Sequence, residues 1–235
     1  MAWNWDGFFG YFANPYLLGG ALVTLGLTAA TLVLGLLLGL LLVLMRSSRF
    51  RVLRWIAATH VWLFRGTPLL VQLIIIYTGL PQLGLVRFTV LQSALLGLVL
   101  NEAAYLSEIL RAGIQSVPRT QLDAAHALGL NRVRTFVLII APQALRVIVP
   151  ALGNSVNGLL KTTSIVSVIS VEELLRRGQI LMQQRFEVLE VFMVIAIIYL
   201  VMTTAWDFVQ RRIERYYGKS DRPAVLAAQD LADAR

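Results

Sequence analysis

Apolar residues in this chain run in long stretches, and the charged residues gather in the gaps between them. The stretch from Leu17 to Met45 carries no charge at all. A helix crossing the hydrocarbon core of a bilayer needs about 20 apolar residues, so this segment crosses with tilt to spare. No basic region precedes it and it outruns the apolar part of a secretory signal, which argues against cleavage. The same reading places a second helix from Trp55 to Leu80, a third from Phe88 to Leu110, a fourth from Val147 to Ile169 and a fifth from Val188 to Phe208. Pro81 and Gly84 supply the turn after the second, and the Gly66-Thr67-Pro68 step predicts a kink within it. The expected fold class is an all-α integral membrane protein of about five transmembrane helices.

The charges give these helices a direction. Arg46, Arg49, Arg51 and Arg54 follow the first helix. Arg111, Arg119, Arg132, Arg134 and Arg146 lie between the third and fourth with Asp123 as the single acid, and Arg211, Arg212, Arg215 and Lys219 follow the fifth. Met1 to Tyr16 holds only Asp6, and the acids and bases of Ser170 to Glu187 balance. Basic loops stay inside, so the N-terminus is expected to be periplasmic and the C-terminus cytoplasmic, in a multi-pass protein of the bacterial inner membrane. The net charge of +8 is therefore an orientation signal, and no nucleic-acid partner is expected. Hydrophobic residues make up 57% and charged residues 14%, against about 45–50% and about 25% in soluble domains, so the lipid bilayer is the main solvent. The lack of cysteine excludes disulfides, thiolate metal sites and thiol chemistry. No internal repeat is visible, which argues against an inverted-repeat carrier. Residues 1–218 read as one transmembrane domain, and residues 219–235, alternating alanine with charge and lacking an apolar face, as a flexible cytoplasmic tail.

The polar segment at about 116–142 is punctuated like structure. Pro118 suits a first helical turn, Thr120 and Asp123 have capping-box spacing, and Leu122, Ala125, Ala127 and Leu128 make an apolar stripe. Gly129 fits a left-handed helix stop and Asn131 a cap for a second helix beginning at Arg132. Ala124 and Ala125 either admit another protein's surface close to the backbone or pack the hairpin against its own helices.

Asp123-Ala124-Ala125, then Gly129, then Ile139, Ala141 and Pro142 resemble the EAA signature of permease subunits of binding-protein-dependent ABC importers. Asp stands for Glu at 123 and Ala for Leu at 141. The segments Arg65 to Gln72, Ala104 to Ile114, Pro142 to Arg146 and Leu160 to Ser164 are similar to the polar amino acid branch of that family, the histidine, glutamine and arginine type. Thr120, Ala151 and Thr162 depart from its usual residues. The resemblance implies a type I ABC importer permease fold that moves a polar amino acid. It makes Asp123, Ala124, Ala125, Gly129, Asn131 and Arg132 the segment that couples to ABC ATPase subunits. It also implies a periplasmic amino-acid-binding protein and a second permease subunit, the same chain or a homologue.

Charges inside the membrane need partners or a wet cavity. Glu108 and Arg111 share a helix face and are expected to pair with each other or with Arg65, or else to line the pathway. Glu102, Asn154, Asn157, Lys161, Thr163 and Ser164 are candidates for the substrate pathway, with Lys161 meeting a substrate carboxylate and Glu102 its ammonium, or the two pairing internally. His60 and His126 lack a third ligand, so no metal site is expected. No phosphate-binding glycine loop is present, so ATP and Mg belong on the partner ATPase, this chain binding no cofactor and performing no chemistry. Ser170 and Glu173 have capping-box spacing ahead of an interfacial helix. A gradient-driven carrier or ion channel subunit using Glu102, Glu108 and Lys161 is the competing reading.

Overall fold

A computed structural model describes residues 3–217, so the tail expected at 219–235 lies outside the described residues. Nine helical elements follow one another among the described residues. They are α1 (Trp5–Phe12), α2 (Pro15–Arg46), α3 (Arg51–Gly66), α4 (Leu69–Gln82), α5 (Val90–Gln115), α6 (Arg119–Ala127), α7 (Arg132–Ile169), α8 (Leu174–Arg185) and α9 (Val188–Tyr217). Helices α2, α5, α7 and α9 are each long and apolar enough to cross a membrane, and α3 with α4 meets the same standard as a bent pair. Four of the five expected spans are therefore present with changed boundaries, and the second corresponds to the bent pair.

The second span begins at Arg51 rather than Trp55, and its kink is a break of 108° at Gly66-Thr67-Pro68. The third runs past Leu110 to Gln115. The fourth does not begin at Val147, because the second helix of the polar hairpin continues straight into it from Arg132. Two prolines that should stop helices are absorbed by π-helical turns at Ile75–Gly79 and Phe136–Ile140, just ahead of Pro81 and Pro142. Proline removes a donor and crowds the carbonyl four residues back, and a wider turn accommodates both. The Gln143 side chain donates to the Ile139 carbonyl at 2.9 Å within that turn.

Helix α2 is the spine. Thr24, Thr28, Thr31, Gly35 and Gly39 form its buried stripe, and a β-carbon at Gly39 would stand 3.2 Å from both the Ala103 carbonyl and the Ser107 nitrogen of α5. Small residues let two membrane helices touch backbone to backbone, which suits dispersion-driven association in lipid. Apolar clusters then tie the ends together. Leu17, Leu174, Leu181, Val191 and Val194 join α2, α8 and α9 at the expected outer end. Leu42, Ala57, Val61, Ala103 and Ala104 join α2, α3 and α5 toward the other.

Helix α8 is capped by Glu173, whose carboxylate accepts from the Leu175 and Arg176 nitrogens at 2.9 and 2.8 Å. Ser170 is not the cap expected from its spacing; it takes a left-handed conformation that ends α7. Nor does Thr120 cap α6, since the helix starts at Arg119 after an extended Pro118. Helix α1 was not foreseen: Asn4 caps it by accepting from the Gly7 nitrogen.

Candidate functional site

The break between α3 and α4 exposes carbonyls that a continuous helix would have satisfied internally, a costly state at membrane depth. Side chains close it. The Thr67 hydroxyl donates to the Leu63 carbonyl at 2.8 Å. The Gln72 amide donates to the Phe64 carbonyl and the Thr67 carbonyl, each at 3.0 Å. Asn101, reaching from α5, donates to the Phe64 carbonyl and to the Gln72 side-chain oxygen, each at 3.0 Å. The unwound step is thus held open by an amide network rather than by its own backbone.

A cavity of about 840 Å³ opens beside this step, between α3, α4, α5 and α7. Arg65, Thr67, Pro68, Asn101, Glu102 and Tyr105 line one side, and Ala151, Asn154, Ser155 and Thr162 the other. Pockets for small ligands run to about 300–1,000 Å³, so the space suits a solute of amino-acid size. Glu102 accepts a hydrogen bond from Ser155 across the cavity, and no cation pairs with it among the described residues. A half-buried carboxylate without a counter-ion on a transmembrane helix needs water or a cationic group beside it.

At the cavity's end Glu108 gathers three guanidinium groups. Arg46 from α2 pairs with one carboxylate oxygen, Arg111 Nε donates to the other at 3.1 Å, and Arg65 from α3 stands 3.9 Å from it. Arg65 also lies over the Tyr105 ring, 5.5 Å from its centroid. The surplus of positive charge needs water or an anion nearby, and Arg65 is the member most open to the cavity. Arg46 was missed in the sequence. It is the first base after the apolar run of α2, and Glu108 sits at the same end of α5, so matching depths would have paired them.

The expected pathway residues do not share one surface. Glu102 and Asn154 line the cavity. Lys161 and Ser164 instead face a smaller groove against α9, with Ala196, Tyr199, Leu200 and Thr203. Lys161 is exposed there and has no acidic partner among the described residues. Asn157 donates to Asp207 of α9 at 2.6 Å, and the Thr163 hydroxyl is buried against the Leu160 carbonyl. The reason is helical spacing: Asn157 and Lys161, one turn apart, lie on the α9 side of α7, Gly158 and Thr162 on the cavity side, and Asn154 at the edge between them, where it lines the cavity and also accepts from Gln210 of α9 at 3.3 Å. His60 stacks on Phe64 and reaches the Leu100 carbonyl at 3.1 Å, and His126 is exposed on α6.

The polar hairpin has a defined shape. Gly129 has φ of +70°, the Leu130 nitrogen donates to the Ala125 carbonyl at 3.0 Å, and the Gly129 nitrogen to the His126 carbonyl at 2.9 Å. This is the paired-bond stop of a Schellman turn. Asn131 then caps α7 by accepting from the Arg134 nitrogen at 2.9 Å. The two alanines part company, with Ala125 buried to 2% exposure and Ala124 in the open. Leu128 at 79% and Val133 at 72% leave an apolar tip exposed.

Two further carboxylates stand at the opposite end. Glu173 is fully buried and, besides its cap bonds, accepts from the Tyr199 hydroxyl at 2.8 Å, and burial raises its carboxyl above the usual range. Glu187 accepts from the Tyr11 hydroxyl and from Asn4 at 2.6 Å, which holds its carboxyl low, while burial first and Glu187 next push the Tyr11 phenol up to about 12.

Residues 31–219 match the family described as binding-protein-dependent transport system inner membrane component. The chain is 37% identical to the arginine transport system permease protein ArgU of Corynebacterium glutamicum, over 99% of this chain and 78% of that one. It is 39% identical to the L-cystine transport system permease protein TcyB of Bacillus subtilis, over 87% and 89%. Among solved structures, a chain of an amino acid ABC transporter crystallised with histidines superposes with a TM-score of 0.86 at 36% identity, covering 92% of this chain and 100% of that one. The methionine transporter MetNI shares the fold, at a TM-score of 0.68 and 20% identity.

Proposed function

This chain belongs to the binding-protein-dependent transport system inner membrane components, and from that premise we propose how it moves its solute. It is the permease subunit of an amino-acid ABC importer in the inner membrane, rather than a gradient-driven carrier or channel.

Two ABC ATPase subunits bind at the cytoplasmic face, holding the ATP and Mg, and a periplasmic amino-acid-binding protein delivers the solute. The observation that carries the coupling is the hairpin: a helix with its own Schellman stop and an exposed Ala124, an apolar tip at Leu128, and the Asn131 cap that starts α7. Because α7 continues without interruption from Arg132 into the membrane, displacement of α6 by the ATPase swings that span directly. Asp123, Ala124, Gly129, Asn131 and Arg132 are the contact and aiming residues, and Ala125 seats the helix against its own fold.

The cavity beside the α3–α4 break is the solute's route through the subunit. Glu102 receives an ammonium or other cationic group, helped by the negative end of the α3 dipole, and Asn154 and Ser155 offer hydrogen bonds. Relatives named for arginine are consistent with a cationic solute. Lys161 has a different task. An exposed ammonium at membrane depth costs about 2.5–3.5 kcal/mol against lipid, so the α7–α9 groove faces the second permease subunit. Glu108, Arg46, Arg65 and Arg111 form the ion cluster that joins α2, α3 and α5 at the inner end. The test is ATP hydrolysis by the copurified complex in the presence of the binding protein. Stimulation by arginine or a similar amino acid supports the reading, and hydrolysis indifferent to every amino acid contradicts it.

A further inference from the structure

The expected outer end of the bundle carries an aromatic surface apart from both the cavity and the hairpin. Helix α1 is only eight residues long, yet it contains Trp5, Phe8, Phe9, Tyr11 and Phe12. Its two faces differ. Phe8 and Tyr11 are buried at 9% and 6% exposure in the cluster with Leu17, Leu174 and Val191. Trp5 and Phe9 point away at 63% and 64% exposure, stacked on each other 6.1 Å apart.

The polar side of α1 is fastened to the start of α9. The Asn4 backbone nitrogen donates to Glu190 at 3.0 Å, the Asn4 amide donates to Glu187, and so does the Tyr11 hydroxyl. The helix is therefore not a loose terminus. It is held at the level where α2 begins at Pro15 and α9 at Val188.

At that same level Phe186 is 68% exposed in a left-handed backbone conformation, φ 58°. Only glycine, and to a lesser degree asparagine, adopts that conformation cheaply, and a large aromatic there is strained. Val188 and Leu189 follow it at 52% and 61% exposure. Leu18 and Leu22 near the start of α2 and Met193 near the start of α9 are exposed apolar side chains as well. Aromatic rings at the mouth of membrane spans partition to the headgroup level, where an apolar body and polar surroundings are both satisfied.

We propose that Trp5 and Phe9 of α1, with Phe186 at the α8–α9 turn, form an interfacial wedge seated in the headgroup layer of the outer leaflet, and that the Asn4–Glu187–Glu190 clamp transfers this seat to the start of α9. The occupant of the aromatic face is lipid, because the exposed rings lie at the starts of two apolar spans, α2 and α9, whose own first turns carry exposed apolar side chains. The wedge depends on the chain's being embedded in a bilayer, and not on which solute it carries or on the ATPase.

The chain has no cysteine, so single spin labels report unambiguously. Phe9→Cys, Phe186→Cys and Asp6→Cys, all at exposed positions, are labelled in the assembled complex in phosphatidylcholine–phosphatidylglycerol nanodiscs, and collision with oxygen and with a water-soluble nickel chelate is compared. Labels at 9 and 186 should favour oxygen several-fold over the label at 6. A matched Phe186→Gly variant, at a backbone angle glycine prefers, should retain its stability in detergent and move the label at 9 toward water. Equal access of the nickel chelate to all three positions would overturn the wedge. So would protection of 9 and 186 that arises only when the loaded binding protein is added, which would make the face a protein contact. An unmoved label in the Phe186→Gly variant would remove Phe186 from it.

Discussion

The hairpin after α6 and the break after α3 are both places where a helix stops, and they are closed in opposite ways. At the hairpin the loose ends are satisfied within the same few residues, by Leu130 and Gly129 nitrogens on Ala125 and His126 carbonyls and by the Asn131 side chain. At the break the Phe64 carbonyl depends on Gln72 from the next helix and on Asn101 from α5. Local closure gives the hairpin a shape that does not depend on distant side chains, while its second helix runs on into the bundle as α7. Distant closure makes the break a joint whose shape follows α5, the helix that also supplies Glu102 and Glu108 to the cavity. Damage to the first should cost coupling, and damage to the second should cost the fold and the solute path together.

The sharpest way to break that comparison is Ala124→Arg. The position is exposed, so the free subunit tolerates the longer side chain, but the ATPase surface cannot approach past a charged stem. Uptake in vesicles should fall by about tenfold or more with insertion and thermal stability unchanged. A fall in stability would show that position 124 packs within the subunit and is not a contact surface.

Asn101→Ala should do the reverse. It leaves the Gln72 oxygen and a share of the Phe64 carbonyl unsatisfied in a buried place, at a cost of about 1–3 kcal/mol. Lower thermal stability together with lower uptake is expected, and ATP hydrolysis by the residual assembled complex should still respond to the binding protein.

Glu102→Gln separates path from joint on the same helix. Ser155 can still hydrogen-bond to an amide, so stability should hold while uptake of a cationic amino acid falls and that of a neutral one changes little. Equal loss for both would make Glu102 structural.

The smallest effect concerns the outer end, where acid should loosen α1. Glu187 is held below the ordinary carboxylate range by Tyr11 and Asn4, so its contribution is complete above the unfolded value of about 4.3 and fades as pH falls through the lower folded value. Glu173 behaves with the opposite sign, since burial raises its carboxyl and protonation favours the folded form. Amide exchange should therefore accelerate in α1 before α8 on acidification below about pH 4. Loosening of α8 first would reverse the assignment.

The same distinction explains what the sequence disclosed. The spans, the Gly129 stop and the Asn131 cap were legible because each is set by residues close in the chain. The pairing of Glu108 with Arg111 was legible for the same reason, being one helical turn. Arg46 on Glu108, Ser155 on Glu102 and Asn101 on the break were not, because each partner arrives from another helix. The extent of the bend escaped too, since Gly-Thr-Pro permits a break but only the distant amides stabilise one of 108°. The side of α7 that Lys161 takes was not legible either, since its polar stretch serves both the cavity beside Glu102 and the groove against α9, where Lys161 lies. Helix α1 escaped because its apolar face is too short to show a period.

The central claim is that the hairpin couples the ATPase to α7, and Gly129 tests it most directly. Its φ of +70° penalises a β-branched side chain by about 1–2 kcal/mol although nothing stands within 4 Å of a β-carbon there, so any effect is one of backbone aim and not of packing. The measurement is the ratio of amino acid imported to ATP hydrolysed in vesicles holding the full complex and the binding protein. Gly129→Asn, which accepts the left-handed conformation, should keep most of that ratio, and Gly129→Val should collapse it with the subunit inserted at normal levels. An unchanged ratio in Gly129→Val would mean that ATPase motion reaches the membrane by another route.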